Sequence, residues 1–175
     1  MSVKAYLGLG SNLGDRRKNI ERAIAYLRES AGIRVEKVSS IMETEPAGGP
    51  KQGKFLNACL EIKTDLPPAD LLRRLKSIER KFGRRQSKVR WGPRTIDLDI
   101  LLYGKLILKH PGLSIPHALM HERKFVLGPL AEIAPEAGHP VLKKTVKQLL
   151  RKLKSRKVES REKKEKPTKG ERRGT

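Results

Sequence analysis

The stretch Thr95-Ile96-Asp97-Leu98-Asp99-Ile100-Leu101-Leu102-Tyr103 decides how this chain is read. Apolar residues at 96, 98 and 100 alternate with acids at 97 and 99, the period of a strand that presents one face to a core. In front of it lies a basic loop, Arg84 to Pro93, ending Arg90-Trp91-Gly92-Pro93. Before the loop, Asp65-Leu66-Pro67-Pro68 opens a helix whose buried face carries Leu71, Leu72, Leu75, Ile78 and Phe82, with Gly83 as its stop. Phe55 to Thr64 reads as the strand that feeds this helix.

Working back to the N-terminus, Val3 to Leu9 reads as a strand, and Gly10-Ser11-Asn12 as a turn into a helix cap. From Asp15 to Ser30, Ile20, Ala23, Ile24 and Leu27 follow the spacing of one helix face. Ile33 to Ile41 reads as a second strand, followed by a glycine- and proline-rich loop from Glu45 to Gly53. Loops of that length often carry function. The order β, α, β, β, α, β predicts an α+β fold, the ferredoxin-like split-βαβ sandwich, with an antiparallel sheet and helices on one face. Beyond it the pattern predicts a hairpin through Gly104 and Lys105, a loop from Leu113 to His117, short helical pieces around Val126 to Leu130, and a last helix from about Thr145. One domain, residues 1–154, is expected, followed by a basic tail, 155–175, either disordered or a helix extension.

The net charge is +21. Residues 151–175 hold 12 Lys or Arg against 4 Glu, net +8, so the remaining +13 belongs to the body. Such a surplus attracts polyanions, whether nucleic acid or a nucleotide triphosphate, and the tail alone would bind polyanions weakly and in a salt-sensitive way. The longest apolar runs, such as Ile100 to Tyr103, fall far short of the roughly 20 residues that span a bilayer. Met1 to Tyr6 lacks the pattern of a secretory signal, and a cytoplasmic protein is expected. The single cysteine, Cys59, sits in an apolar run and reads as a packed hydrophobe.

In a strand, Asp97 and Asp99 share a face, about 6 to 7 Å apart along the chain. Two carboxylates held together repel unless a cation sits between them. Oxygen donors without neighbouring thiols suit magnesium, which also takes phosphate oxygens as ligands. Arg84, Arg85, Lys88, Arg90 and Arg94 crowd the same stretch, and guanidinium groups grip phosphate oxygens in two-pronged fashion. Acids for a metal beside arginines for phosphate are what transfer of a phosphate-type group requires.

The segment from Arg90 to Leu101 resembles the signature of the 6-hydroxymethyl-7,8-dihydropterin pyrophosphokinases. Further pieces of the resemblance stand in order: Gly8-Leu9-Gly10-Ser11-Asn12-Leu13-Gly14, Val38-Ser39-Ser40, Thr44 with Pro46, Phe55-Leu56-Asn57-Ala58, Gly83-Arg84, Pro116-His117, Arg123 with Phe125, and Pro129-Leu130 with Ile133-Ala134-Pro135. It covers roughly residues 1 to 150. The resemblance implies transfer of diphosphate from ATP to the pterin hydroxymethyl group, with AMP released, in folate synthesis. It implies that Asp97 and Asp99 bind two magnesium ions bridging the ATP phosphates, with Arg84 and Arg94 stabilising charge on the transferring group. The pterin would lie between Phe55 and Phe125, its polar edge bonded by Asn57 and by the backbone around Thr44, Glu45 and Ala47, with Asp97 close to its hydroxyl. Glu79, Trp91, Ile100, Ser114, His117 and Arg123 match family positions near ATP. Phe55, Lys76, Gln86 and Gly112 depart from the residues frequent at their positions, which bears on nucleotide affinity. The Arg84–Trp91 and Glu45–Gly53 loops are the expected lids, closing to exclude water. A monomer is expected, and no general base is assigned.

Three other readings fit the chain less well. RNA-recognition modules share this element order, but their basic-aromatic sheet motif is absent, and inward-facing acids would repel a phosphate backbone. The glycines at 8, 10 and 14 miss the dinucleotide-binding spacing by one residue and read instead as turn residues. His117 and His121 stand four apart, but His-Ala-Leu-Met-His lacks the glutamate of a zinc-protease helix.

Overall fold

The computed structural model describes residues 1–83 and 91–165, with side chains to Ser160. β1 (Val3–Ser11) is flanked on both edges, by β4 (Phe55–Thr64) and β5 (Asp97–Tyr103), and β4 pairs in turn with β2 (Ile33–Val38) and β3 (Met42–Thr44). Every pairing is antiparallel and the order is β2-β4-β1-β5. With α1 (Arg16–Arg28) between β1 and β2 and α2 (Pro68–Lys81) between β4 and β5, this is the ferredoxin-like sandwich.

The helices form where the sequence places their apolar stripes. α1 starts at Asp15, whose carboxylate accepts the Lys18 N–H at 3.1 Å, and buries Ile20, Ala23 and Leu27. α2 begins with Pro68 and buries Leu71, Leu75 and Ile78. They pack on one sheet face against Leu7, Leu9, Leu60, Ile62, Leu98 and Ile100. Each fully buried leucine or isoleucine contributes about 1.5–3 kcal/mol relative to exposure.

α1 and α2 share one face as expected, and the opposite face is covered as well, by the C-terminal helices. A second core gathers Tyr6, Cys59, Leu101 and Leu102 from the sheet with residues of α3 (Lys124–Ile133) and α4 (Val146–Glu165). The reason lies in β5: the register with β1 shifts between Tyr6 and Leu7, leaving Leu101 as an extra residue. The bulge places both Leu101 and Leu102 in the second core. A residue as small as Cys59 then fits beneath α3, its thiol directed at the Val126 carbonyl at 3.6 Å.

Two strand expectations change. The predicted strand Ile33–Ile41 stops early, at Val38, because the Ser39 hydroxyl accepts the Cys59 N–H at 2.8 Å in place of a backbone carbonyl, and β3 begins only at Met42. The Ser40 N–H and hydroxyl both turn to Glu132 of α3. The hairpin falls later than Gly104–Lys105. Gly104 donates its N–H to Lys4 O at 2.8 Å, which keeps the end of β5 beside β1. The hairpin joins β6 (Leu108–His110) to β7 (Leu113–Ile115) through the turn dipeptide Pro111-Gly112, so Leu113–Ile115 is strand and not loop. A short 3-10 turn, Met120–Glu122, leads to α3, and a small ribbon, β8 (Gly138–His139) with β9 (Lys144–Thr145), precedes α4. α4 runs on to Glu165, across the 154/155 boundary, and residues 166–175 of the expected tail lie outside the described residues. No helix among the described residues is long and apolar enough to cross a membrane.

Candidate active site

Three adjacent strands make the floor of one cleft of about 240 Å³. On β1, Gly8 pairs with Asp99 of β5 and Cys59 of β4, and Gly10 pairs with Asp97 and Asn57. The two glycines therefore serve the strand and not the turn to which the spacing assigned them. Between acids on one side and Phe55, Asn57 and Cys59 on the other, they leave a trough without side chains. A Cβ at Gly10 would stand 3.2 Å from the Asn57 side-chain oxygen.

The acids sit as the strand period requires. Leu98 and Ile100 are buried in the core behind them, while Asp97 and Asp99 are half-buried and line the cleft. Burial first, then the charge of Asp97, pushes the Asp99 carboxyl up to about 7; Glu79 adds to the rise, and Lys76 and Arg94 oppose it. Arg94 Nη1 donates to Asp97 Oδ2 at 2.9 Å. The donor set is two carboxylates without a thiol, strained by their own repulsion, and it fits a hard cation such as magnesium.

The walls are basic and aromatic. Arg123 lies over the Phe125 ring, 5.5 Å from its centroid, and Phe125 faces the cleft with Phe55. His117 stands beside them; burial and the Arg123 charge push its pKa down against the pull of Asp97. Its Nδ1 accepts the Leu119 N–H at 3.3 Å, which assigns the proton of the neutral ring to Nε2. Thr44 Oγ1 accepts from Asn57 Nδ2 at 2.7 Å and fixes the amide so that its oxygen faces the Gly10 side.

A loop wall closes the remaining side, held by residues that the sequence reading passed over. Asn12 Oδ1 accepts the Arg94 N–H at 2.7 Å, and its Nδ2 donates to Gln52 Oε1 at 2.9 Å and Gly53 O at 3.1 Å. Gln52 in turn donates to Trp91 O at 2.8 Å. Gly48 and Gly49 have φ of +104° and +83°, and a Cβ on either would meet Trp91 at under 3 Å. Only glycine combines that backbone with that approach. Trp91 itself has φ of +59°. The signal for Asn12 and Gln52 was weak in sequence, since a polar residue in a turn or loop carries no mark of its distant partners.

Of the predicted residues, Thr44, Glu45, Ala47, Phe55, Asn57, Trp91, Arg94, Asp97, Asp99, His117, Arg123 and Phe125 all line the cleft. Glu79, Ile100 and Ser114 do not. Glu79 is buried behind β5, where its Oε1 accepts the Leu98 N–H at 2.9 Å and its carboxylate meets Lys76 Nζ at 3.1 and 3.2 Å. Ile100 belongs to the first core, and Ser114 is exposed on β7. Arg84, with Arg85, Gln86, Lys88 and Arg90 of its loop, lies outside the described residues.

A ferredoxin-like sandwich whose sheet aims two acids at an arginine-lined aromatic cleft has the groups that transfer of a phosphate-type group requires. The family model for 7,8-dihydro-6-hydroxymethylpterin-pyrophosphokinase (HPPK) matches residues 6–135. The chain is 50% identical over 136 residues to a 2-amino-4-hydroxy-6-hydroxymethyldihydropteridine pyrophosphokinase of Bacillus subtilis, covering 78% of this chain and 81% of that one. A protein of the same name from Aquifex aeolicus is 43% identical, covering 82% and 88%. Among solved structures, a Plasmodium falciparum HPPK-DHPS protein superposes with a TM-score of 0.74 at 18% identity, over 91% of this chain. The chain spans 47% of that protein, and this likeness concerns the fold alone. The chain belongs to the HPPK family.

Proposed function

We infer that this protein transfers the diphosphate group of ATP to the hydroxymethyl group of 6-hydroxymethyl-7,8-dihydropterin, giving the pterin diphosphate and AMP, a step of folate synthesis. The observation that carries it is the convergence of Asp97 and Asp99 with Arg94, Arg123, Phe55 and Phe125 on one cleft in a chain of this family. The reaction forms a bond from the pterin hydroxyl oxygen to the β-phosphorus and breaks the bond from that phosphorus to the oxygen it shares with the α-phosphorus. The hydroxyl proton leaves and the electron pair goes to AMP.

Each group has a part. Asp97 and Asp99 would hold two magnesium ions, which when bound offset the charge of the polyphosphate. Arg94, anchored through its backbone by Asn12 and through its side chain by Asp97, supports the charge that builds on the transferring group. Arg123 and the Nε2–H of His117 offer further donors to phosphate oxygens. Arg84 is proposed beside them on sequence grounds. Phe55 and Phe125 supply flat faces for a flat heterocycle, and Asn57, with backbone groups at Thr44, Glu45 and Ala47, supplies the polar edge. Trp91 and the Gly48–Gly49 turn exclude water, which would otherwise compete with the pterin hydroxyl. Glu79 acts through β5, pinning the Leu98 amide between the two acids, and with Ile100 and Ser114 it is proposed on the nucleotide side. A cytoplasmic setting suits the ATP co-substrate and the lone reduced cysteine, and we propose a monomer.

Incubation with ATP, magnesium and the hydroxymethyl pterin should yield AMP and pterin diphosphate in equal amounts. Release of ADP, or no AMP, would dispose of the reading. Gly10→Val should fill the trough and raise the pterin KM roughly tenfold or more. Magnesium-dependent ATP binding, measured without pterin, should stay nearly unchanged in that variant. A pterin KM equal to that of the native protein would show that the trough is not the pterin site.

A further inference from the structure

From residue 137 to residue 158 the chain has eight Lys and Arg and no Asp or Glu. The family match ends at residue 135, just before this segment. Val146, Leu149, Leu150 and Leu153 anchor the first half of α4 on the second core. From Lys154 to Ser160 every residue is exposed, so the helix stands clear of the body. Its flanks follow from the 100° per residue of a helix. Lys147, Arg151 and Lys154 fall on one side of the anchored stripe, and Lys152 and Arg156 on the other. All five are exposed, and Lys147, 4.0 Å from Glu136, has the one ion pair found for them among the described residues.

The second flank borders a groove separate from the catalytic cleft. It is lined by His121, Leu142, Lys144, Leu149, Lys152 and Arg156, among others, and shares no residue with the cleft. Glu122 is the single acid of its lining, and it already faces His121 Nε2 at 3.6 Å. The other imidazole nitrogen, His121 Nδ1, is buried with no hydrogen-bond partner among the described residues.

We propose that α4 and this groove form a docking surface for the phosphate backbone of a nucleic-acid duplex. The placement of charge selects that occupant. An anionic membrane or a flat acidic protein face would meet one side of a helix. A duplex groove about 12 Å wide admits the free half of α4 and puts phosphates along both of its flanks, where Lys154 and Arg156 stand on opposite sides, with Arg151 and Lys152 flanking its root. A helix that lies in a membrane surface needs an apolar face, and past Leu153 the described side chains of α4 offer only Val158. With no Phe, Tyr or Trp on α4, base stacking is not available, so the surface grips backbone without reading sequence.

The test uses the full chain and a labelled DNA duplex of about 20 base pairs, titrated between roughly 50 and 200 mM salt. Binding should weaken with salt by about 0.9 log units per log unit for each phosphate neutralised. The variant Lys144→Gln, Arg151→Gln, Lys152→Gln, Arg156→Gln should bind at least about tenfold more weakly, with the salt slope reduced by about 3 to 4. AMP formation by that variant should be unchanged, which separates this surface from the catalytic reading. Duplex binding within about twofold of the native protein in the variant would overturn the proposal. So would displacement of the duplex by saturating magnesium-ATP, which would place it in the cleft. Polyglutamate or anionic vesicles binding as tightly as the duplex, with the same loss in the variant, would assign the surface to another partner and refute it equally.

Discussion

AMP formation is expected to fall by about 10³-fold or more in Asp97→Ala and in Asp99→Ala, with the fold intact. Both side chains face the cleft, and the strand behind them is held by Leu98 and Ile100 in the core, so removing a carboxylate leaves the packing of β5 in place. Each loses half of the oxygen donor set proposed for magnesium. Asp97→Ala also frees Arg94 from its 2.9 Å ion pair, so this variant should lose orientation of the guanidinium as well as metal. Magnesium-dependent binding of a non-hydrolysable ATP analogue should weaken in parallel with turnover, while circular dichroism stays as in the native protein. Turnover within about tenfold of native in either variant would remove the acid pair from the mechanism.

Magnesium-dependent nucleotide binding is expected to weaken about tenfold for each pH unit below about 7, because a proton then competes for Asp99. The Asp99 carboxyl is pushed up to about 7 by burial and by Asp97. The same shift makes a prediction for stability without metal. A carboxyl whose pKa is raised in the folded state stabilises the fold fully below its unfolded value, and that contribution is lost as pH rises through the folded value, here about 7. The metal-free protein should therefore lose stability between the ordinary carboxylate range and neutrality. Asp99→Asn, which cannot ionise, should escape the loss and be more stable at pH 8, by about 4 kcal/mol at most. Adding magnesium and nucleotide should then raise the melting temperature of the native protein and not that of the variant. Equal melting of the two metal-free proteins across this range would show that Asp99 is not held under electrostatic strain.

The local patterns were legible in the chain. The alternation Ile96, Asp97, Leu98, Asp99, Ile100 set one face of β5 to the core and the other to the cleft, because side chains of a strand alternate whatever packs on them. The stripes of α1 and α2 and the order of elements followed from the same periodicity. The Arg90–Leu101 signature carried the family. The early end of the predicted strand Ile33–Ile41 at Val38 was not legible, since it depends on a Ser39 hydroxyl reaching Cys59, 20 residues away in sequence. Nor was the second core, because the bulge that places Leu101 and Leu102 together is a matter of register between β1 and β5.

Sequence by itself determined which residues alternate, where α1 and α2 run, and which acids and arginines stand near one another along the chain. These depend on spacing of a few residues, which backbone geometry converts directly into a shared face. Tertiary structure alone decided that Gly8 and Gly10 form the trough between Asp97 and Asn57, and that Asn12 and Gln52 tie Trp91 to the Gly48–Gly49 loop. It likewise decided that Glu79 serves β5 from behind. Those contacts join residues far apart in the chain, and their geometry exists only once strand register and loop packing are fixed.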